Sequence, residues 1–344
     1  MMTILISILI IAVLILFHET GHFLAARRIG IPVYEFSIGF GYKIISWRKD
    51  GVDYSIRIFP LGGFVRMAGE EPGDRDDPNG YSHRTPLEKI RVSFAGPFMN
   101  FVLALLIFIY SYAFIGIPRT TDEPIIGRVF DGQPAENAGI LAGDRVLAIN
   151  GQEVATWDEF TTILAAQPAG TAVEMEIERG GKNTELLVTP EINTTTGTPA
   201  IGVLSNIVYE KQGLLTAVKI GVVQTYELTL VLLGGLWTMV SGGASSAEIA
   251  GPVGIVGLIG DAAQVGTVFL LSFAAFLSIN LGILNLLPIP ALDGSRIVFA
   301  VVEAIRRKPV QPEKEGFIHW LGFMFLMALI VLVTFNDIMK FIKG

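Results

Sequence analysis

The sequence predicts an α-helical integral membrane protein with four transmembrane helices, an interfacial or re-entrant helical segment, a cytoplasmic membrane-associated β-hairpin region and one inserted α+β domain. Three observations lead there. Of 344 residues, 51% are hydrophobic and only 17% are charged, whereas soluble domains carry about 25% charged residues. Apolar runs long enough for a bilayer core, about 20 residues, occur at Met2–Ala26, Val92–Ile117, Leu214–Val240, Phe269–Leu287 and Phe317–Phe335. Between the second and third lies a stretch of ordinary soluble composition, from Asp122 to Gln212.

The first run, within residues 1–29, has no basic leader and no small-residue cleavage site, and it leads into His18-Glu19. It is expected to remain as a membrane helix rather than serve as a cleaved signal. Arg27 and Arg28 close it, and eleven Lys/Arg fall between Arg27 and Arg91. Gly116–Gly213 holds only six, against fourteen Asp/Glu. The positive-inside rule then places residues 30–91 in the cytoplasm and the N-terminus outside. A second helix over 92–117 returns outward, so the insert at 122–209 is extracytoplasmic.

The next basic cluster, Arg306, Arg307, Lys308 and Lys314, should mark a cytoplasmic loop at 307–316, with the fourth helix, 317–340, leaving again. Were both Leu214–Val240 and Phe269–Leu287 to cross, that cluster would fall outside. Lys219, Gln224 and Glu227 lie in the first half of Leu214–Val240, and charges at mid-bilayer are costly. The segment 210–265 is therefore expected to lie along or dip into the outer interface. The third transmembrane region, 266–306, carries the crossing.

Composition also excludes chemistry. With no cysteine, no disulfide forms and no thiolate can bind metal or attack a substrate. The formal charge of −7 and the lack of a clustered basic face exclude a nucleic-acid partner.

His18-Glu19-Thr20-Gly21-His22 places two histidines four apart, on one helix face, where they can share a metal. The glutamate between them can act on a water that the metal polarises. A His-Glu-His cluster in an apolar span is expensive, which makes it a functional site by default. At ~1.5 Å per residue, His22 and His18 lie roughly 8 and 14 Å from the Arg27 end, within the cytoplasmic half of the bilayer. A catalytic zinc takes three protein ligands and keeps one position open.

Two other histidines exist. His83 sits in a charged loop and reads as a surface residue, and His319 begins the last span and reads as an interface residue. The stronger third ligand is Asp293, in Asn285-Leu-Leu-Pro288-Ile-Pro290-Ala-Leu-Asp293-Gly294. Its two prolines break the helix, and Gly294 permits an unusual backbone angle. Broken backbone at this depth must be buried or line a wet cavity. With four spans, Asp293 comes to the same side as His18 and His22.

Residues 33–65 alternate polar and apolar, as in Val52-Asp-Tyr-Ser-Ile-Arg-Ile-Phe59, and read as hairpin strands. In the insert, Ile125–Val129 reads as a strand. Gln133–Gly139 reads as a short helix with a glycine stop, Gly143–Gly151 as a strand closed by Asn-Gly, and Trp157–Ala166 as a helix. Ala172–Arg179 reads as a strand ending at Gly180-Gly181. This arrangement resembles the circularly permuted bacterial PDZ domain. The resemblance puts a peptide-binding loop at Ile201, Gly202 and Val203, where an extended peptide would add as a strand. Two readings stay open: the groove binds peptide, or the domain acts by bulk as a size filter.

The whole set resembles the site-2 protease family (peptidase family M50), in particular the bacterial intramembrane zinc proteases of the RseP type. HETGH, Gly-Phe-Gly at 39–41, Pro60–Glu70, Ala95-Gly-Pro-Phe-Met-Asn100 and Asn285–Gly294 carry the likeness across nearly the whole chain. It implies one Zn²⁺ on His18, His22 and Asp293, Glu19 as general base, and Asn285, with Pro288 and Pro290, in contact with substrate. It further implies a multi-pass enzyme of the bacterial inner membrane. Its substrates would be single-span membrane proteins, cut in the bilayer after another protease has trimmed them, as when a membrane-tethered anti-sigma factor is released. The same chemistry could instead clear signal-peptide remnants, and a non-catalytic PDZ scaffold is the remaining alternative. Tyr42 stands where relatives often have proline, and Ser295-Arg296 replace a common Gly-His.

Overall fold

The computed structural model describes residues 2–70, 77–193, 197–242, 251–310 and 312–343. It divides into two compact units: residues 1–114 together with 213–344, and residues 115–212.

In the first unit, α1 (Met2–Ile29) and α2 (Pro86–Tyr110) pack antiparallel. His22 meets the Val92 carbonyl, His18 meets Asn100, and Leu14 shares a core cluster with Leu103. Thr85 starts α2 with a reciprocal capping box to Glu88, and Pro86 occupies the first turn, where a missing N–H costs nothing. α7 (Thr267–Leu286) runs opposite to α2 and so parallel to α1. The Ser278 hydroxyl donates to the Asn100 carbonyl at 2.8 Å, and Gly282 lies against Pro97.

After α7 the chain turns through Pro288 and Pro290 into α8 (Asp293–Arg306), then α9 (Pro312–Lys343). α9 passes Pro290 at Gly322. Near its far end, Asp337 accepts the N–H groups of Gly251 and Gly254 at the start of α6 (Pro252–Val265). Gly260 of α6 abuts Thr3, at the start of α1. The end of α1 and the starts of α2, α8 and α9 are thus gathered at one end of the bundle.

Among the described residues, five helices are long and apolar enough to cross a bilayer, Leu214–Met239 among them. The segment 210–265, expected at the interface in a four-span arrangement, contains one continuous helix, α5 (Leu214–Val240), and the short α6. Residues 243–250, between them, lie outside the described residues. Gly221 of α5 rests against Leu105 and Ile109 of α2.

β1 (Val33–Lys49) and β2 (Val52–Met67) are long strands that each fold back, so the hairpin is a four-segment sheet. Glu35–Ile38 pairs with Asp53–Ile56 on one side and with Gly63–Arg66 on the other. The Gly63–Met67 segment is therefore an edge strand. Buried Glu35 accepts from Ser55 and Arg57 and pairs with Lys43 at 3.0 Å. Burial alone would raise its pKa, but these partners push it down to about 2.

The second unit is an α+β domain. Its largest sheet has the order β6 (Gln152–Glu153), β5 (Arg145–Ile149), β7 (Val173–Arg179), β8 (Lys182–Val188). Asn150 and Gly151 both have positive φ, as the β5–β6 turn requires. A helix over Trp157–Ala165, again with a capping box, covers a core built on Ile126, Ile149, Phe160, Met175, Ile177 and Ile201.

Candidate metal centre

α1 brings His18 and His22 to one face, one helical turn apart, and α8 presents Asp293 as its first residue. The His18 and His22 Nε2 atoms are 3.2 Å apart, and Asp293 Oδ2 lies 3.2 Å from the first and 3.3 Å from the second. Among the described residues, these three form the one cluster of His, Asp and Glu able to hold a metal ion. A tetrahedral zinc with bonds of ~2.0–2.1 Å has ligand–ligand edges of about 3.3 Å, so this triangle matches one face and leaves the fourth vertex open.

Proton placement points the same way. His22 Nδ1 faces the Val92 carbonyl at 2.8 Å. A carbonyl only accepts, so Nδ1 carries the proton, and the neutral ring then presents the Nε2 lone pair. Asp293 Oδ2 is buried without a hydrogen-bond donor. Bare acceptors converging at this distance repel unless a cation sits among them. For His18, the Asn100 amide lies 3.1 Å from Nδ1, with its nitrogen toward the ring and Oδ1 buried and unpaired. A half-turn of the amide lets Oδ1 accept the Nδ1 proton, which satisfies the orphan and bares Nε2. The residues present fit a zinc ion.

Close helix packing makes room for this arrangement. A Cβ on Gly21 would stand 2.2 Å from the Ala95 carbonyl oxygen, so only glycine lets α1 touch the backbone of α2 here. Pro97, inside α2, follows directly on this contact.

Gly294 permits an unusual backbone angle but does not use that freedom. The left-handed residue is Ala291, at φ 77°. Gly294 is helical, and it is glycine for space, because a Cβ there would meet the Leu287 and Leu286 carbonyl oxygens at 2.2 and 2.3 Å. The Ala291 N–H donates to His319 Nδ1 at 3.0 Å, and α9 packs on Pro290 through Gly322. His319, read from the sequence as an interface residue, thus faces the loop that carries Asp293. His83 is on the surface beside Ser82.

A cavity of about 360 Å³ opens on His18, His22 and Asp293. Glu19, Asn285 and the edge segment Gly63–Val65 also line it. Glu19 lies against this edge, with its Cγ 3.1 Å from where a Cβ of Gly63 would be. Pro288 and Pro290 are not among the lining residues; their place is the turn itself. Arg296, one turn after Asp293, forms an ion pair with Glu70, which also accepts the Met67 N–H. In the other unit, Ile201 is buried in the core, and the carbonyls of Ile201 and Gly202 accept from Ala135 and Phe130. Val203 pairs with Val129.

Asn100 and Gly96 stand in the Ala95–Asn100 motif, but no period or spacing in the sequence announces that they meet His18 and His22. Nor does the sequence announce that His319 reaches the loop before Asp293.

A sequence model of peptidase family M50 matches residues 6–329. The chain is 36% identical to the zinc metalloprotease RasP of Geobacillus kaustophilus, over 97% of each chain. It is 33% identical to the regulator of sigma-W protease RasP of Bacillus subtilis, over 98% of each. Among solved structures, the PDZ domain of an SdrC-like protein from Listeria innocua is 34% identical over 24% of this chain and 93% of that one, with a TM-score of 0.22.

Proposed function

Because this chain belongs to peptidase family M50, we propose that it is a zinc metalloprotease of the bacterial inner membrane that hydrolyses peptide bonds within membrane-embedded segments. The observation that carries this reading is the triangle of His18, His22 and Asp293, set among apolar helices. Its charge-bearing groups have no role in a merely structural bundle, where each would cost several kcal/mol to desolvate.

His18, His22 and Asp293 would hold the ion. When bound, zinc polarises the scissile carbonyl and brings the pKa of water to about 7. The remaining work falls to the chain. The Glu19 side chain lines the cavity. It takes the proton from the attacking water and returns it to the departing amine nitrogen. Asn100 and the Val92 carbonyl hold the two imidazoles in the tautomer that turns Nε2 inward.

A transmembrane helix hides its peptide bonds in its own hydrogen bonds, so a substrate must be unwound before it can be cut. The edge segment Gly63–Met67, beside Glu19, offers backbone groups that could pair with an extended substrate strand. Asn285 lines the same cavity and would give the substrate a polar contact. Single-span proteins already trimmed by another protease suit such a site, and the α+β insert, read as PDZ-like, would select among them.

The orientation follows from charge. Arg27 and Arg28, together with Arg306, Arg307 and Lys308, lie at the end of the bundle that carries the metal centre. That end is cytoplasmic by the positive-inside rule, which leaves the N-terminus and the insert outside.

The test is cleavage of a single-span substrate by the protein reconstituted in liposomes. Glu19→Gln should keep its zinc and lose activity by about 10²–10⁴-fold. Mass spectrometry of proteins trapped on this variant separates a regulatory substrate from signal-peptide remnants. Undiminished cleavage by Glu19→Gln would overturn the proposal.

A further inference from the structure

α8 has two unlike faces. Ser295 and Ala300 are buried, Arg296 reaches Glu70, and Glu303 forms an ion pair with Lys89 of α2 at 2.8 Å. On the other side Val298, Val301 and Ile305, spaced i, i+3 and i+7, are 45%, 41% and 77% exposed. The helix has 14 residues, about 21 Å, and is too short to cross a hydrocarbon core of ~30 Å.

It ends in Arg306, Arg307 and Lys308, all exposed. None of the three has a carboxylate within ion-pair distance among the described residues; the nearest acidic residue in sequence, Glu303, is committed to Lys89. An aliphatic stripe that ends in unpaired cations, at the end of a membrane bundle, has the composition of a helix lying in the bilayer interface.

We propose that α8 is an interfacial anchor whose basic end, Arg306-Arg307-Lys308, binds the headgroups of anionic phospholipids. Val298, Val301 and Ile305 enter the acyl boundary while the three cations meet phosphate. Charge complementarity selects this occupant: each cation near an anionic surface strengthens binding roughly five-fold. Because Asp293 is the first residue of α8, the lipid contact also fixes the depth of the helix that carries a proposed metal ligand.

The experiment is native mass spectrometry of the full chain in neutral detergent, offered phosphatidylglycerol and phosphatidylcholine in equal amounts. The wild type should retain phosphatidylglycerol at least ten-fold over phosphatidylcholine, and lose the preference at high salt. A variant carrying Arg306→Gln, Arg307→Gln and Lys308→Gln should show no preference. The charge-conserving Arg306→Lys, Arg307→Lys variant should keep it, which separates charge from misfolding. Equal retention of both lipids by the wild type would overturn the proposal. So would an unchanged preference in the glutamine variant, or displacement of the lipid by an acidic peptide at equal concentration.

Discussion

A Cβ on Gly96 would stand 2.2 Å from Nε2 of His22, inside the imidazole itself. The ring has no free direction in which to yield, because its other nitrogen is held by the Val92 carbonyl. Gly96→Ala should therefore displace His22, a proposed zinc ligand, without itself reaching the metal position. We expect zinc affinity to fall about 10–100-fold, the usual cost of disturbing a ligand's support. Competition against a chelator of known affinity measures it; wild-type affinity would show that α2 can shift instead.

Asn100 should act on His18 through the side chain alone. Asn100→Leu removes the acceptor for the Nδ1 proton, and zinc affinity should fall about 10–100-fold. Asn100→Asp keeps an acceptor at the same place and should retain most of the affinity. If the two variants bind zinc alike, the amide does not orient the ring.

His319 supports the Asp293 loop at the left-handed Ala291. His319→Leu removes the acceptor of the exposed Ala291 N–H, a net loss of about 0.5–1.5 kcal/mol. It should lower both thermal stability and zinc affinity. His319→Asn offers an oxygen near the Nδ1 position and should recover zinc affinity, which a purely packing role would not predict.

The insert should be acid-sensitive through Asp144. Burial alone would raise the pKa of this carboxyl, but two bonds from Arg179 and one from the Leu141 N–H hold it below the ordinary value. A depressed carboxylate stabilises the fold above its unfolded pKa of about 3.9, and that stability is lost as pH falls through the folded value. Asp144→Asn should lower the domain's unfolding midpoint at pH 7 and flatten the acid limb. Parallel acid limbs in the two proteins would contradict this.

What could be read from the sequence was local or periodic. HETGH places its own side chains, because helix geometry fixes residues four apart. The prolines at 288 and 290 announced a break, and α7 does end at Leu286. The Asn150-Gly151 turn and the helix starting at Trp157 carry signals within a few residues.

What could not be read depends on partners far along the chain. Asn100 and His18 are 82 positions apart, and Ala291 and His319 are 28; neither pairing leaves a period or a spacing. The glycine at 294 was legible as necessary, but for the wrong reason, since close approach and backbone angle both select glycine. The double pairing of Glu35–Ile38 was hidden because each half of β2 alternates equally well. Charge parity weighs Lys219 and Glu227 against a crossing by α5, and the 27-residue length of that helix does not decide between crossing and lying at the interface.

The central claim is that Asp293 completes a zinc site begun by His18 and His22. Zinc-edge X-ray absorption on the purified protein, with metal content measured alongside, tests it most directly. The account predicts one zinc per chain, two imidazole nitrogens and a carboxylate oxygen at ~2.0–2.1 Å, and loss of that oxygen with weaker binding in Asp293→Ala. A wild-type protein without zinc, or an Asp293→Ala spectrum identical to the wild type, would contradict it.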